Sequence, residues 1–256
     1  MSLDLGPLLD DFDYKSGEVV ARKIVGLDGR EKIQMRTELG LIQMEADGSP
    51  DGVRPHGCES LLHYHRERVE SREWTDPKDA SLALTTEDCR ALRDEATTYY
   101  LRYVCCLRLR DFARAVRDTG RNLEAMDFCS RHAAPEDAEY LERYRPYVLM
   151  MHARARAGQF LEMGELSNAA DTIAQAVLTV KRLLEAAQDE PSPPSDIEDA
   201  TDLAGYADLD LVDLGLAPQV RLRLQLQEAV EREDYKLAAQ IRDSIRALDE
   251  GSGPDA

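Results

Sequence analysis

One stretch of the sequence, residues 189–218, divides the chain into parts that we do not expect to share a continuous core. It contains nine Asp and Glu residues, no Lys or Arg, and the run Pro-Ser-Pro-Pro-Ser at 191–195. Carboxylates at this density repel one another, and a proline-rich segment without compensating positive charge is typical of a flexible linker. The sequence therefore predicts an acidic disordered linker between a long body and a short C-terminal segment.

The C-terminal segment, residues 219–249, has the spacing of two short helices. Apolar residues recur at steps of three and four on either side of Glu233-Asp234, and Asp234 is a residue type that caps helices well. The two apolar stripes are Leu222, Leu226, Ala229 and Val230, then Ala238, Ile241, Ile245 and Leu248. This pattern predicts an αα-hairpin followed by a tail over 250–256. A hairpin this short buries too little surface to be stable alone.

The segment resembles the UVR motif, the helical hairpin of the excision-repair proteins UvrB and UvrC. The same motif occurs in ClpC-type chaperone ATPases and in McsA-type activators of protein arginine kinases. The resemblance implies a device for protein–protein contact with no catalytic residue, and Asp234 and Asp243 are part of the match. The partner-binding residues that it implies are Leu222, Leu226, Ala229, Val230, Tyr235, Ala238, Ala239, Ile241, Arg242, Ile245 and Leu248.

Several apolar residues of the hairpin fall outside its internal stripes, namely Leu224, Tyr235, Leu237 and Ala239. Two hairpins packed together would bury both sets as a four-helix bundle. The hairpin could instead dock on the body of its own chain. Because the linker makes such docking less necessary, we expect a protein partner or a second copy of the chain.

The body over 81–188 has a helical pattern throughout. Thr85 and Asp88 are spaced as a capping box, and four helices are predicted after them as two antiparallel pairs. Small residues at Ala153, Ala157 and Ala169 let neighbouring helices approach closely, so the region resembles tetratricopeptide repeats. A plain four-helix bundle is the alternative. The predicted fold class is mainly α.

The N-terminal part is predicted as an acidic flexible arm over 1–16 and a small α+β module over 17–80. Asp28-Gly29 lies between two apolar runs, which is a strong β-hairpin signal because the turn needs positive φ. Gly40 predicts a bend or bulge within the second run. A charged helix is expected over 59–73.

Four arginines on the second predicted helix of the body follow steps of four, three and four residues. They are Arg110, Arg114, Arg117 and Arg121. Such a stripe could receive an acidic peptide or a phosphate. The favoured interpretation is that these arginines pair with carboxylates of the chain, for example Asp111 and Asp118.

Residues that could support chemistry are sparse. His56, Cys58, His63 and His65 lie close together, but their spacing matches no known structural zinc pattern, so no metal is predicted. Cys105 and Cys106 lie in an apolar helical context that favours a packing role. The chain has no Gly-x-x-x-x-Gly-Lys-Ser/Thr loop and no Cys-x-x-Cys pair, so neither an ATPase site nor a cofactor is predicted.

Charge and length restrict the function classes further. The net charge of −18 disfavours a broad nucleic-acid surface, and no apolar run is long enough to cross a membrane. The acidic N-terminus does not resemble a secretory signal, so a cytoplasmic bacterial protein is predicted. We expect a non-enzymatic adaptor or scaffold in excision repair or Clp-type quality control. The alternatives are a self-assembling homodimer, and a ligand-binding protein or enzyme with its site in the N-terminal module.

Overall fold

The computed structural model describes residues 5–73, 84–188 and 215–251. The chain forms two compact units, Met1–Arg145 and Pro146–Ala256. Most of the predicted acidic linker and nearly all of the tail lie outside the described residues. The end of that linker is different, because Leu216 is fully buried and a helix begins at Ala217. Pro218 explains the earlier start, since proline suits the first turn of a helix.

The described residues are mainly helical with one small antiparallel sheet, as predicted. The strands are β1 Val20–Val25, β2 Glu31–Thr37 and β3 Gly40–Glu45. The helices are α1 Gly6–Leu9, α2 Leu61–Glu73, α3 Thr86–Arg108, α4 Phe112–His132, α5 Pro135–Glu142, α6 Arg145–Glu162, α7 Leu166–Gln188, α8 Ala217–Glu231 and α9 Tyr235–Gly251.

The sheet of the first unit has the order β1-β2-β3. The Asp28-Gly29 turn joins β1 to β2, with Gly29 at a φ of 75° and Val25 paired to Glu31, which confirms the predicted hairpin. Gly40 is not a bend inside one strand. It is the first residue of β3 and pairs with Thr37 across a two-residue turn. The second apolar run therefore forms two strands.

Residues 5–16 form no free arm, contrary to the expectation from their acidic composition. Phe12 is only 5% exposed. The guanidinium of Arg22 lies 4.2 Å from the centre of its ring, and Arg36 Nε donates to the Phe12 carbonyl oxygen at 2.7 Å. A single aromatic anchor and two strand arginines thus hold this segment on the sheet.

The helices of the first unit pack around α3 and α4. Thr85 and Asp88 form the predicted capping box, in which each side chain accepts from the other residue's backbone N–H. The Asp111 side chain caps α4 by accepting from the backbone N–H of Arg114. Two loops therefore start long helices at defined residues, and this aligns the α3 and α4 side chains that face the sheet.

The second unit combines α6 and α7 with the C-terminal pair α8 and α9. Pro146 lies in the first turn of α6, and Gly164, at a φ of 77°, closes the connection to α7. The facing surfaces of α6 and α7 consist of small residues: Ala153, Ala157, Ala169 and Ala170 are at most 6% exposed. Their size allows the close helix contact that the sequence predicted. Whether this region is a tetratricopeptide repeat stays a prediction.

Candidate partner-binding site

The C-terminal hairpin turns sharply between α8 and α9. Glu233 has a φ of 58°, a conformation that usually favours glycine, and the backbone N–H of Asp234 donates to the Ala229 carbonyl at 2.9 Å. The Asp234 side chain accepts from the backbone N–H of Leu237 at 3.0 Å. Asp234 therefore caps α9, the role that its position before the second stripe predicted.

The two helices close on an apolar seam of their own. Ala229, Ala238 and Ile241 are between 2% and 8% exposed. Leu222, Leu226 and Ile245 pack partly buried against them. Leu248, which the pattern placed in the same stripe, is 37% exposed and lies at the margin. Alanines at two of the closest points let the short helices approach, which compensates for the small size of this core.

One face of α8 packs against α6 and α7. Leu216 and Val220 are 0% and 1% exposed, and they belong to a cluster with Ile173 of α7 and the alanines of both helices. Leu224 packs against the same cluster. We expected Leu224 to be available for contact with a second hairpin. This is wrong while the hairpin is docked, because Leu224 then contacts the chain's own cluster. Its position on α8 places it on the face that the chain itself covers.

A buried arginine lies at the centre of this contact. Arg223 is 9% exposed, and its Nε donates to Asp171 of α7. Its Nη2 donates to Ser167 Oγ at 2.7 Å and contacts Asp249 Oδ2 of α9 at 3.3 Å. The guanidinium thus links α7, α8 and α9 at the open end of the hairpin.

The turn end of the hairpin, hereafter the tip, lies away from these contacts. Docking involves residues 216–224 and Asp249, whereas the tip comprises residues 227–237. Three large side chains of the tip are exposed: Val230 by 45%, Tyr235 by 68% and Leu237 by 44%. Among the other predicted partner-binding residues, Ala239 is half-buried and Arg242 is exposed. The structure thus separates the predicted set into seam residues and exposed residues.

The predicted arginine stripe on α4 is largely occupied by carboxylates of the chain. The guanidinium of Arg114 donates to both carboxylate oxygens of Asp47, at 2.9 and 3.1 Å. It also pairs with Glu31 and Asp111. The hydrogen bond from Arg114 is the main reason why the pKa of Asp47 is lowered to about 2, since burial opposes this effect. These ion pairs join α4 to the loop after β3.

The other stripe residues differ in their surroundings. Arg117 bridges Asp47 at 2.7 Å and Asp118 at 2.9 Å, and Arg121 pairs with Glu95. Arg110 does not lie on the predicted helix: it precedes α4, in the connection from α3, with a φ of 56°. It is exposed, and its guanidinium lies 5.4 Å from the centre of the Phe112 ring. The interpretation favoured from the sequence, pairing within the chain, describes three of the four arginines.

The sequence analysis missed a charged pair in the core of the first unit. Arg102 of α3 and Asp118 of α4 are 0% exposed as whole residues, and two hydrogen bonds of 2.6 and 2.8 Å join their side chains. Arg102 Nη1 also donates to the carbonyls of Glu45 and Gly48 at 3.0 and 2.8 Å. Arg102 lies three residues after Tyr99, so helical spacing places it on the apolar face of α3. This spacing was the sequence signal that could have predicted its burial.

A cleft of about 470 Å³ lies beside this pair, between α2 and α4 with Tyr99 and Arg102 of α3 on its floor. Its cationic lining residues are already paired: Arg66 with Glu124, Arg117 with Asp118, and Arg121 with Glu95. Acidic residues of α2 line the opposite wall. The lining thus has a small acidic surplus, with five carboxylates against four arginines. The alternative of a ligand or enzyme site in this module stays a prediction.

The histidine and cysteine residues near α2 are divided between two environments. Cys58 Sγ and His63 Nε2 both contact Glu67, at 3.5 and 3.0 Å. His65 is 3% exposed, and burial lowers its pKa. Across residues 5–73, 84–188 and 215–251, no three His, Cys, Asp or Glu side chains are arranged to hold a metal ion. Burial also raises the pKa of Cys105 and of Cys106 to about 12, so neither is an activated nucleophile.

Comparison with known proteins gives one match, at the hairpin. Residues 219–251 match the model of the UVR family, described as the UvrB/uvrC motif. The match confirms the resemblance found in the sequence and coincides with α8 and α9. No curated protein and no solved structure matches the chain significantly. Among the described helices, none has the length and apolar character needed to cross a bilayer.

Proposed function

We propose that this protein is a non-enzymatic adaptor that binds a partner protein through the tip of its UVR hairpin. The observation that carries the proposal is the exposure of Val230, Tyr235 and Leu237 on a hairpin that matches a family of interaction motifs. Fully burying one large apolar side chain contributes about 1.5–3 kcal/mol. Three such residues at one end of a hairpin are sufficient for a small binding hot spot.

The charges of the tip indicate the chemistry of the partner. Carboxylates outnumber cations four to two: the residues are Glu228, Glu231, Glu233 and Asp234 against Arg232 and Lys236. Arg232 is already engaged with Glu228 at 2.5 Å. Like charges across an interface disfavour binding, so two tips repel each other. A partner with apolar side chains flanked by Lys or Arg complements this surface better than a second copy does.

By resemblance, the partner belongs to nucleotide-excision repair or to Clp-type protein quality control. The test is a binding assay of the full chain with purified UvrC-type and ClpC-type proteins of the same organism. Tyr235→Ala combined with Leu237→Ala should weaken binding at least about tenfold, because the two side chains together supply several kcal/mol of burial. Leu27→Ala with Leu39→Ala is the matched control, since those side chains are 108% and 93% exposed in the first unit.

The outcomes separate the candidate functions. Binding that the tip variant loses and the control keeps supports the adaptor. Binding that survives the tip variant refutes the proposed surface. Sedimentation tests the alternative of self-assembly. If the parent chain is a homodimer and the tip variant is a monomer, the self-assembling protein is supported in place of the adaptor.

A further inference from the structure

The second unit contains two apolar cores that share no residue. One core joins α6 and α7 to Leu216 and Val220 of α8, with Leu224 against it. The other is the hairpin seam around Ala229, Ala238 and Ile241. The seam contains no residue of α6 or α7, so we expect the hairpin to keep this core during a brief release, although a hairpin this short is not stable as an isolated fragment. Undocking would expose the α8 face of the first core together with the surface of α6 and α7 that it covers.

The polar centre of the docking contact is incompletely satisfied. The Arg223 side chain is 8% exposed and is held by Asp171, whose side chain is 57% exposed to solvent. Asp249 Oδ1 and Gln219 Oε1 are buried beside it, and neither oxygen has a hydrogen-bond partner in the part of the chain that the structure describes. A buried acceptor without a donor is destabilising, because it has given up its hydrogen bonds to water without replacing them. The contact is therefore weaker than its apolar residues alone would suggest, and this favours opening at this point.

We infer that the hairpin docks reversibly on α6 and α7 as an intact body, with Arg223 as the latch. This inference rests on the proposed function, since it describes how the binding hairpin is regulated. Docking covers the apolar face of α8 and leaves the exposed side chains of the tip available to a partner. Release exposes a second apolar face, made by Leu216, Val220 and Leu224, on which another helical hairpin can pack as a four-helix bundle.

The test measures accessibility at Val220, which is 1% exposed when docked. Val220→Cys is introduced into the full chain together with Cys58→Ser, because Cys58 is the one native cysteine that is not buried. Thiol labelling then reports undocking. Arg223→Gln should accelerate the labelling about tenfold or more, since hydrogen bonds to charged groups contribute about 1.5–3 kcal/mol each. Asp171→Asn should act in the same direction.

A matched control and a second measurement identify what opens. Arg221→Gln changes an exposed arginine two positions from the latch and should leave labelling unchanged. Hydrogen exchange of the α8 amides should stay slow in Arg223→Gln, because the hairpin remains folded after release. Loss of α8 protection together with faster labelling would mean that the hairpin melts, and this would overturn the inference. So would labelling that neither variant accelerates.

The assay needs no partner, so its failure is distinct from failure of the proposed function. Tip variants that abolish partner binding should not change labelling at position 220. Conversely, a hairpin that never undocks could still bind a partner through Tyr235 and Leu237. Only the regulatory role of the latch would then be wrong.

Discussion

The buried pair of Arg102 and Asp118 allows the effect of Asp118→Asn to be estimated from the structure. Asparagine keeps the shape of the side chain but can present an amide donor to the guanidinium, so Arg102 retains a buried charge without a full counter-ion. Two charged hydrogen bonds from Arg102, at 2.6 and 2.8 Å, and one from Arg117, at 2.9 Å, are weakened or lost. Removing one partner of a buried ion pair costs about 3–5 kcal/mol. We expect the free energy of unfolding of the first unit to fall by about that amount.

Urea unfolding followed by circular dichroism measures the change, and hydrogen exchange of α3 and α4 assigns it to the first unit. The matched control is Asp127→Asn. Asp127 forms an ion pair with Arg145 at 2.8 Å, but its side chain is 56% exposed. Exposed pairs contribute about 1 kcal/mol or less. Equal losses for the two variants would refute the reasoning, because burial would then make no difference. Arg102→Met with Asp118→Leu removes both buried charges and should recover part of the stability, because the carbonyls of Glu45 and Gly48 still lose their donor.

Two further predictions concern the hairpin and the arginine stripe. Ile241→Asp puts a carboxylate into a seam position that is 8% exposed, and burying this charge destabilises the hairpin. Hydrogen exchange should therefore accelerate over 217–251 while α3 and α4 stay protected. Equal acceleration in both units would contradict this. The pKa of Asp47 is lowered, so its stabilising effect is present above the ordinary Asp pKa of about 3.9 and is lost as pH falls towards about 2. Acid unfolding of Asp47→Asn should accordingly depend less on pH between about 4 and 2 than that of the parent chain, and an identical pH dependence would contradict the assignment.

Local sequence patterns predicted the elements whose causes are local. The Asp28-Gly29 turn, the Thr85–Asp88 capping box and the Asp234 cap each depend on residues within a few positions of one another. The seam of the hairpin also follows from helical spacing alone. These features need no knowledge of how distant segments meet, which explains why the sequence was enough for them.

The errors arise where distant segments compete for the same residue. Leu224 was expected to face a second hairpin, but it packs against a cluster to which α6 and α7 contribute, at least 50 positions away in the sequence. Phe12 lies among acidic residues that indicate a free arm, yet one aromatic ring beside two arginines is enough to hold the segment. The spacing of Arg102 did not show that its guanidinium donates to the carbonyls of Glu45, at the end of β3, and of Gly48, in the loop that follows. Side-chain partners of this kind depend on tertiary structure rather than on periodicity.

The guanidinium of Arg102 also sets an order for folding. It joins Asp118, 16 positions away, to carbonyls that lie 57 and 54 positions away. Closing the shorter loop costs less conformational entropy, so the α3–α4 pair can form a nucleus before the strand loop arrives. Pulse-labelled hydrogen exchange should therefore protect α3 and α4 earlier than β3, and simultaneous protection would contradict this order. Until β3 and the loop after it pack against α3, the two N–H groups of Arg102 Nη1 donate to water. In this order, the packing of β3 removes that water and completes the hydrogen bonds of Arg102.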